Sequence, residues 1–486
     1  MKQLNDPTLF RMKNYINGQW IDADSGKTIA VENPATLEPL GTVPDCGSAE
    51  MQRAIDAASA AWHAWRAKTS AERCACLLEW YRLIKENTPD LARILTLEQG
   101  KPLAESLGEI TQNSGYIPWF AEEARRLCGE TVPTPRHGVR PITHWQPVGV
   151  VFAITPWNFP IGMIPRKAAP ALAAGCTFIA RPSSATPFSA LALAALAEKA
   201  GIPAGVFNVI TGQTQPIVDT MAADKRVRKV TFTGSTAVGK SLMAACAGTV
   251  KRVSLELGGN APFIIFDDAD PDKAAALCVA SKFRNAGQTC ICTNRVLVQQ
   301  GIKDAFMRAF TEKVKALVVG SGLEAKTTVG PLISETALNN VASIVRDALD
   351  KGAKLLTGGH PHALGGRFFE PTVLDNATTE MRAFTEEIFG PVAPVFTFES
   401  EKEALELANR TNYGLAAYVC TQNAGRIFRM IEGLEYGMVG VNDVSLAAPE
   451  TPFGGVKESG VGREGGHESL KDFMDARLAV LGDIEG

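Results

Sequence analysis

The chain has no run of the eighteen or so uninterrupted apolar residues that a membrane-spanning helix requires, which argues against a membrane protein. Its start, Met1–Asp6 (MKQLND), lacks the apolar region of a signal peptide, so a cytoplasmic location is expected. Ten cysteines in 486 residues are too dilute for a disulfide scaffold, and the close pairs Cys74/Cys76 and Cys290/Cys292 do not have zinc-ligand spacing. Histidines are scattered from His63 to His467 without a cluster, so no metal is expected. A net charge of -3 offers no basic footprint, which speaks against a nucleic-acid partner. Internal repeats and low-complexity segments are absent as well.

What is present is a long, mixed, globular sequence, longer than one hydrophobic core usually supports, and two or three domains are expected. The first third reads as helical. Met51, Ile55, Ala58, Trp62 and Trp65 recur at three- and four-residue steps after a Ser48 cap, further helices follow Ser70 and Asp90, and one spans Pro102 to Leu127. From Val148 short apolar runs (148–154, 176–180, 206–210, 229–232) alternate with helical stretches (168–174, 187–200, 238–247). Such alternation predicts a parallel sheet covered on both faces, with ligands bound beyond the carboxyl ends of its strands. A second α/β region begins near Gly258, with runs at 262–266 and 295–298. The proline-rich stretch 130–148 reads as an extended arm.

The chemistry concentrates in two segments. Cys290 lies in Asn285–Cys292 (NAGQTCIC) and Glu256 in Leu255–Asn260 (LELGGN), which supply a nucleophile and a base. A thiol is strongly nucleophilic near neutral pH even though only a few per cent is thiolate at its ordinary pKa. Asn158 follows a predicted strand, where its side-chain amide and the Cys290 backbone N–H could stabilise a developing oxyanion. Gly234–Ser241 (GSTAVGKS) meanwhile matches the P-loop pattern, follows a strand and opens a helix. An NTPase and a dinucleotide enzyme use the same physics there, since helix N-termini attract phosphate. No strand ending in an evident magnesium-binding aspartate accompanies the motif, and an NTPase would leave Cys290, Glu256 and Asn158 unexplained.

The segments Ile154–Pro160 (ITPWNFP), Phe232–Ser235 (FTGS), Leu255–Gly259, Gly287–Cys290, Glu387–Pro391 (EIFGP) and Pro452–Gly455 (PFGG), in this order, resemble the aldehyde dehydrogenase superfamily, from about Tyr15 to Leu481. Lys282–Cys292 (KFRNAGQTCIC) is most similar to its succinate-semialdehyde dehydrogenase branch. The resemblance implies an α/β fold in which a Rossmann-type cofactor domain (1–124 and 148–257) joins an α/β catalytic domain (258–457). A small β oligomerisation element with the C-terminal tail (125–147 and 458–486) would make a homodimer or homotetramer. It also implies NAD(P)-dependent oxidation of a small aldehyde through a thiohemiacetal and a thioester on Cys290, with Glu256 activating water. Succinate semialdehyde is the first expectation, with glutarate semialdehyde or a broader aldehyde range as alternatives. A coenzyme A-acylating relative would not need the Glu256 base, and a noncatalytic relative would be expected to lack at least one of Cys290, Glu256 and Asn158.

Carried over residue by residue, the cofactor would meet Ile154, Thr155, Trp157, Gly234, Ser235, Leu257, Glu387 and Phe389, with Gly239 allowing close packing. Where many NAD-using relatives have Lys-Pro-x-Glu, this chain has Arg181-Pro-Ser-Ser184. Without a glutamate to repel a 2'-phosphate, and with a planar donor fork at Arg181, NADP is favoured over NAD. Arg166 and Arg284 match the cations that hold a distal carboxylate. Near Val444–Pro452 the branch's serines are replaced by Ala447 and Ala448, which leaves Ser445 as the hydroxyl candidate. Cys292 is a candidate redox partner of Cys290, if the loop brings their Cβ atoms to roughly 4 Å.

Overall fold

The structure, a computed structural model, describes residues 4–483. Met1–Gln3 and 484–486 of the expected tail lie outside the described residues.

Two large sheets, of eight and seven strands, dominate the fold. In the first, the order is Gly460–Val461, Arg252–Glu256, Val227–Thr233, Val150–Thr155, Thr177–Pro182, Phe207–Val209, Asn14–Ile16 and Gln19–Ile21. The inner five strands are parallel, and the flanking ones are antiparallel. Strand Val150–Thr155 and the helix Met163–Ala174 after it are buried throughout, which is why their sequence is apolar without a period of two or of 3.6. The chain runs outward from Val150–Thr155 to Thr177–Pro182 and Phe207–Val209. It then returns to place Val227–Thr233 on the other flank, so strand order reverses there. A crevice opens at such a reversal.

The second sheet orders Lys354–Thr357, Thr372–Asp375, Val392–Phe398, Thr293–Gln299, Ala261–Ile265, Ala416–Cys420 and Met438–Val441, parallel except for its first pair. Its aliphatic core, with Phe263, Val296, Leu297 and Val395, is separate from the two clusters under the first sheet. The arm forms a third sheet, in which Arg140–Pro147 pairs antiparallel with Met474–Leu481 along its whole length. Two residues of the expected tail, Gly460–Val461, join the first sheet instead, beside Glu256.

Two helical expectations need correction. The helix Ser48–Ala67 is capped by Gly47, whose N–H donates to Glu50 Oε2 at 2.9 Å, and Ser48 is already helical. The single helix expected over 102–127 is two, Leu103–Ser114 and Tyr116–Arg126, joined at Gly115, where a Cβ would come within 3.2 Å of Pro449 Cγ. Among the described residues no helix is long and apolar enough to cross a membrane.

Candidate active site

Cys290 sits in the loop between the helix Pro271–Phe283 and the strand Thr293–Gln299 of the second sheet, and shares a cavity with Thr233 and Glu256, which end strands of the first sheet. That loop is held in an unusual conformation. Asn285 and Ala286 have φ of +52° and +54°, and Gly287 follows at +74° with the carbonyl of Gly390 pressed against it, 2.2 Å from where a Cβ would lie. Gly287 is therefore required twice, by its backbone angle and by the close approach.

Two cavities open on Cys290. One, of about 160 Å³, is lined by Glu256, Arg166, Arg284, Glu464, Phe453, Glu105 and Gln112 among others. The other, of about 250 Å³, is lined by Trp157, Asn158, Gly234, Ser235, Leu257, Glu387 and Phe389. Phe159, Met163, Thr233 and Cys290 border both, so a group entering from either side reaches the same sulfur.

The second cavity has the features that a dinucleotide needs. Ser235 occupies the N-cap position of the helix Thr236–Ala247 without a side-chain capping bond, and with Gly234 it lines the cavity, the place where a helix N-terminus favours phosphate. Gly239 lets that helix lie against Leu257, since a Cβ there would fall 2.3 Å from Leu257 Cδ2. Trp157 and Phe389 meet edge to face at 5.5 Å and line the cavity with Cys290. Glu387 Oε1 accepts from the Gly259 N–H at 2.9 Å, and burial pushes its carboxyl up to about 7. Ile154 and Thr155 end the strand beneath, with the Thr155 hydroxyl buried and unpartnered.

The structure also corrects the P-loop comparison. Lys240 lies in the second turn of its helix and pairs with Glu458 at 2.8 Å on the surface, while Ser241 donates to the carbonyl of Ala237. Neither faces a phosphate cradle, and neither is a first-turn residue. Arg181 is buried rather than free: its Nη2 donates to Gly212 O at 2.9 Å and to Thr214 Oγ1 at 2.5 Å, leaving only part of the expected fork for a ligand. Half-buried Ser184 lies in the turn after the same strand.

On the other side, Glu256 ends its strand 3% exposed, with Oε2 lacking a partner. Burial raises its pKa well above the carboxylate range, and the negative Glu464 nearby adds to this, while Lys167, Arg166 and Arg463 oppose it. For Glu464 burial is outweighed by Lys167 and Arg166, so its carboxyl is held low. Of the two carboxyls, Glu256 therefore keeps the proton. Glu464 contacts Lys167 Nζ through Oε1, and its Oε2 lies 3.1 Å from Arg166 Nε. Cys290 is half-buried, and burial together with Glu387 and Glu256 pushes its thiol up to about 12.

Asn158 is 5% exposed and gives one amide hydrogen from Nδ2 to Gln288 O at 3.0 Å, which leaves the other for the cavity. Arg166 sits between the rings of Tyr116 and Phe453, 5.0 and 4.2 Å from their centroids, with Nη2 unpartnered. Arg284 is exposed at the cavity mouth over Phe159, 5.5 Å from its centroid, and makes no ion pair among the described residues.

Two expected residues lie elsewhere. Ser445 is exposed and off the cavity wall, where Ala447 stands instead. Cys292 is buried with its sulfur 3.4 Å from Lys282 Nζ, bonded to the carbonyls of Lys282 and Thr293 and outside both cavities. Both thiols are free. Conversely, sequence reasoning missed Glu464, Lys167, Phe453, Thr233, Lys101 and Glu109.

Fold and site together define an oxidoreductase of the pyridine-nucleotide class with a thiol between its cofactor and substrate cavities. The chain belongs to the aldehyde dehydrogenase family, whose profile matches residues 20–478. It is similar to the 3-sulfolactaldehyde dehydrogenase of Pseudomonas putida, 53% identical with both chains covered in full. It is also 51% identical to the NADP-dependent succinate-semialdehyde dehydrogenase of Escherichia coli, over 99% of this chain and 100% of that one. The crystal structure of succinate-semialdehyde dehydrogenase from Burkholderia pseudomallei superposes with a TM-score of 0.98 at 52% identity, covering 99% of this chain and 100% of the other.

Proposed function

We propose that this aldehyde dehydrogenase oxidises short aldehydes bearing a distal anion, with succinate semialdehyde first and glutarate semialdehyde next. The observation that carries this reading is Arg284, an exposed guanidinium without an ion pair among the described residues, in the wall of the cavity that also holds Arg166 and Cys290. A distal carboxylate would take a charge-assisted bond from it. The relative that acts on 3-sulfolactaldehyde extends the same logic to a sulfonate.

The Cys290 thiol gives its proton to solvent and its sulfur attacks the aldehyde carbon; an S–C bond forms as the C=O π bond breaks, and the carbonyl oxygen becomes an alkoxide held by the free Asn158 amide hydrogen and the Cys290 N–H. A bound nicotinamide dinucleotide supplies the acceptor for the hydride that then leaves the tetrahedral carbon. A thioester remains on Cys290. Glu256 takes a proton from water, whose oxygen attacks that thioester and releases the acid and the thiol. Glu256 does this only when ionised, so its raised pKa places the working form at the alkaline side. Thr233, Gly234, Ser235, Glu387 and Phe389 would hold the pyrophosphate and nicotinamide half, and Arg181 with Ser184 the adenosine half. We favour NADP, because Ser184 carries no charge to repel a 2'-phosphate. We also infer a homodimer or homotetramer joined through the three-stranded sheet, and a reducing compartment such as the cytoplasm, consistent with ten free cysteines.

The test follows reduced-cofactor absorbance with succinate semialdehyde, glutarate semialdehyde and an uncharged aldehyde of equal length, each with NADP and NAD. A kcat/KM at least about tenfold higher for the anionic substrates is expected, as the loss of one charge-assisted bond predicts. Equal values would refute the anion reading. If Ser184→Glu left the NADP to NAD ratio unchanged, the cofactor reading would fall.

A further inference from the structure

A buried network behind Asn158 takes part in none of these steps. Lys101 follows the helix Thr88–Gln99, which ends at Gly100 with φ +96°. Its side chain is 1% exposed, and its Nζ donates to Glu109 Oε2 at 2.6 Å and to the Asn158 backbone carbonyl at 2.7 Å, lying 3.9 Å from the Phe159 ring centroid. The other oxygen of Glu109, Oε1, accepts the N–H of Gly162 at 2.8 Å, where the helix Met163–Ala174 begins. One ion pair therefore grips both ends of the irregular turn 158–162: the ammonium at the carbonyl of Asn158, the carboxylate at the amide of Gly162.

The same carbonyl also receives Asn285 Nδ2 at 3.0 Å, and Asn285 reaches Gln288 O at 3.2 Å. Asn285 is itself held from the Lys101 segment. Gln99 Nε2 donates to its Oδ1 at 2.9 Å, and its own N–H donates to Glu105 Oε2 at 2.8 Å. Asn285 and Ala286, two consecutive non-glycine residues in the left-handed region, are strained and persist only where their surroundings over-determine them. A buried ion pair is a poor choice for stability alone, since well-packed apolar residues of similar volume are often equal or better. What it supplies here is fixed geometry at a carbonyl and an amide.

We propose that the Lys101–Glu109 pair is the positioning device of the oxyanion site. It clamps the Asn158 turn against the Asn285 loop so that the free Asn158 amide hydrogen and the Cys290 N–H converge on one oxygen. Lys101 and Glu109 act through Asn158. The proposal rests on the reading of Asn158 as an oxyanion donor.

The test uses the full-length enzyme with the best aldehyde of the panel above, and compares Lys101→Met/Glu109→Gln, Asn158→Ala and the combination of all three. Loss of the Asn158 donor is expected to lower kcat about a hundredfold or more. The Lys101/Glu109 variant should lower it at least about tenfold with KM and Tm little changed, and the combination should fall no further than Asn158→Ala alone, since residues acting as a unit are not additive. Alkylation of Cys290 by iodoacetamide, which needs no oxyanion donor, should stay within about twofold. Losses that multiply, or alkylation falling in step with kcat, would reduce the pair to ordinary scaffolding and overturn the proposal. Undiminished oxidation in Asn158→Ala would instead remove the oxyanion reading, and the clamp's purpose with it. If the paired variant does not fold, Glu109→Gln, whose single amide oxygen can accept from Lys101 or from Gly162 but not from both, takes its place with a several-fold loss expected.

Discussion

The two cavities that meet at Cys290 are built from different materials. The side lined by Gly234, Ser235, Trp157 and Phe389 is framed by backbone, with strand ends, a helix N-terminus and a glycine, Gly239, that lets Leu257 approach, and is walled by aromatic rings with the one carboxyl of Glu387. The opposite side is made of charged side chains, with Arg166, Arg284, Glu105, Glu256 and Glu464 around a few apolar walls. Backbone geometry suits a ligand whose phosphates are always the same, whereas side chains can be exchanged one at a time as the substrate changes. That is why the first side can be read as a cofactor site from motifs, while the identity of the aldehyde depends on the ends of long side chains.

The comparison breaks most sharply at the residue the two sides share. Cys290→Ala is expected to abolish aldehyde oxidation, beyond about a ten-thousandfold loss, while dinucleotide binding measured by fluorescence titration stays close to wild type. Retained oxidation would show that the sulfur is not the meeting point. A smaller and one-sided effect should follow from Arg284→Gln. The KM for anionic aldehydes should rise about 10- to 100-fold, the value for a neutral aldehyde and the cofactor Kd should shift less than about threefold, and steady-state kinetics with both substrate types distinguishes these. The smallest effect is electrostatic. Glu464 raises the pKa of Glu256, so Glu464→Gln removes a negative neighbour and leaves Lys167 and Arg166 to favour ionised Glu256. The alkaline rise of kcat should therefore move to lower pH. A pH profile that stays put or moves upward would contradict the assignment of that proton.

Much of this architecture was legible in the chain. The runs at 148–154, 176–180 and 229–232 became neighbouring strands of one parallel sheet, and the arm at 130–148 did pair with the C-terminal run. The strand runs depend on local apolar pattern, which a sequence displays directly, whereas the pairing of the arm is what the family resemblance implies. What was not legible depends on contacts between distant residues. Arg166 looked like a free cation, yet Glu464, nearly three hundred residues later in the chain, partly neutralises it. Arg181 looked like a phosphate fork, but Gly212 and Thr214 occupy one of its nitrogens. The Lys101 network left one usable trace: a lysine caught between a helix-ending glycine and Pro102, with acids at 105 and 109, is an improbable surface residue.

The division of labour between Cys290 and Glu256 can be tested most directly in a stopped-flow experiment on Glu256→Gln, mixing enzyme, excess cofactor and aldehyde and following reduced-cofactor absorbance. The account predicts a rapid burst of about one equivalent per active site, as the thioester forms on Cys290, and then near-arrest because no base activates water. A steady rate equal to wild type, or the absence of any burst, would contradict it.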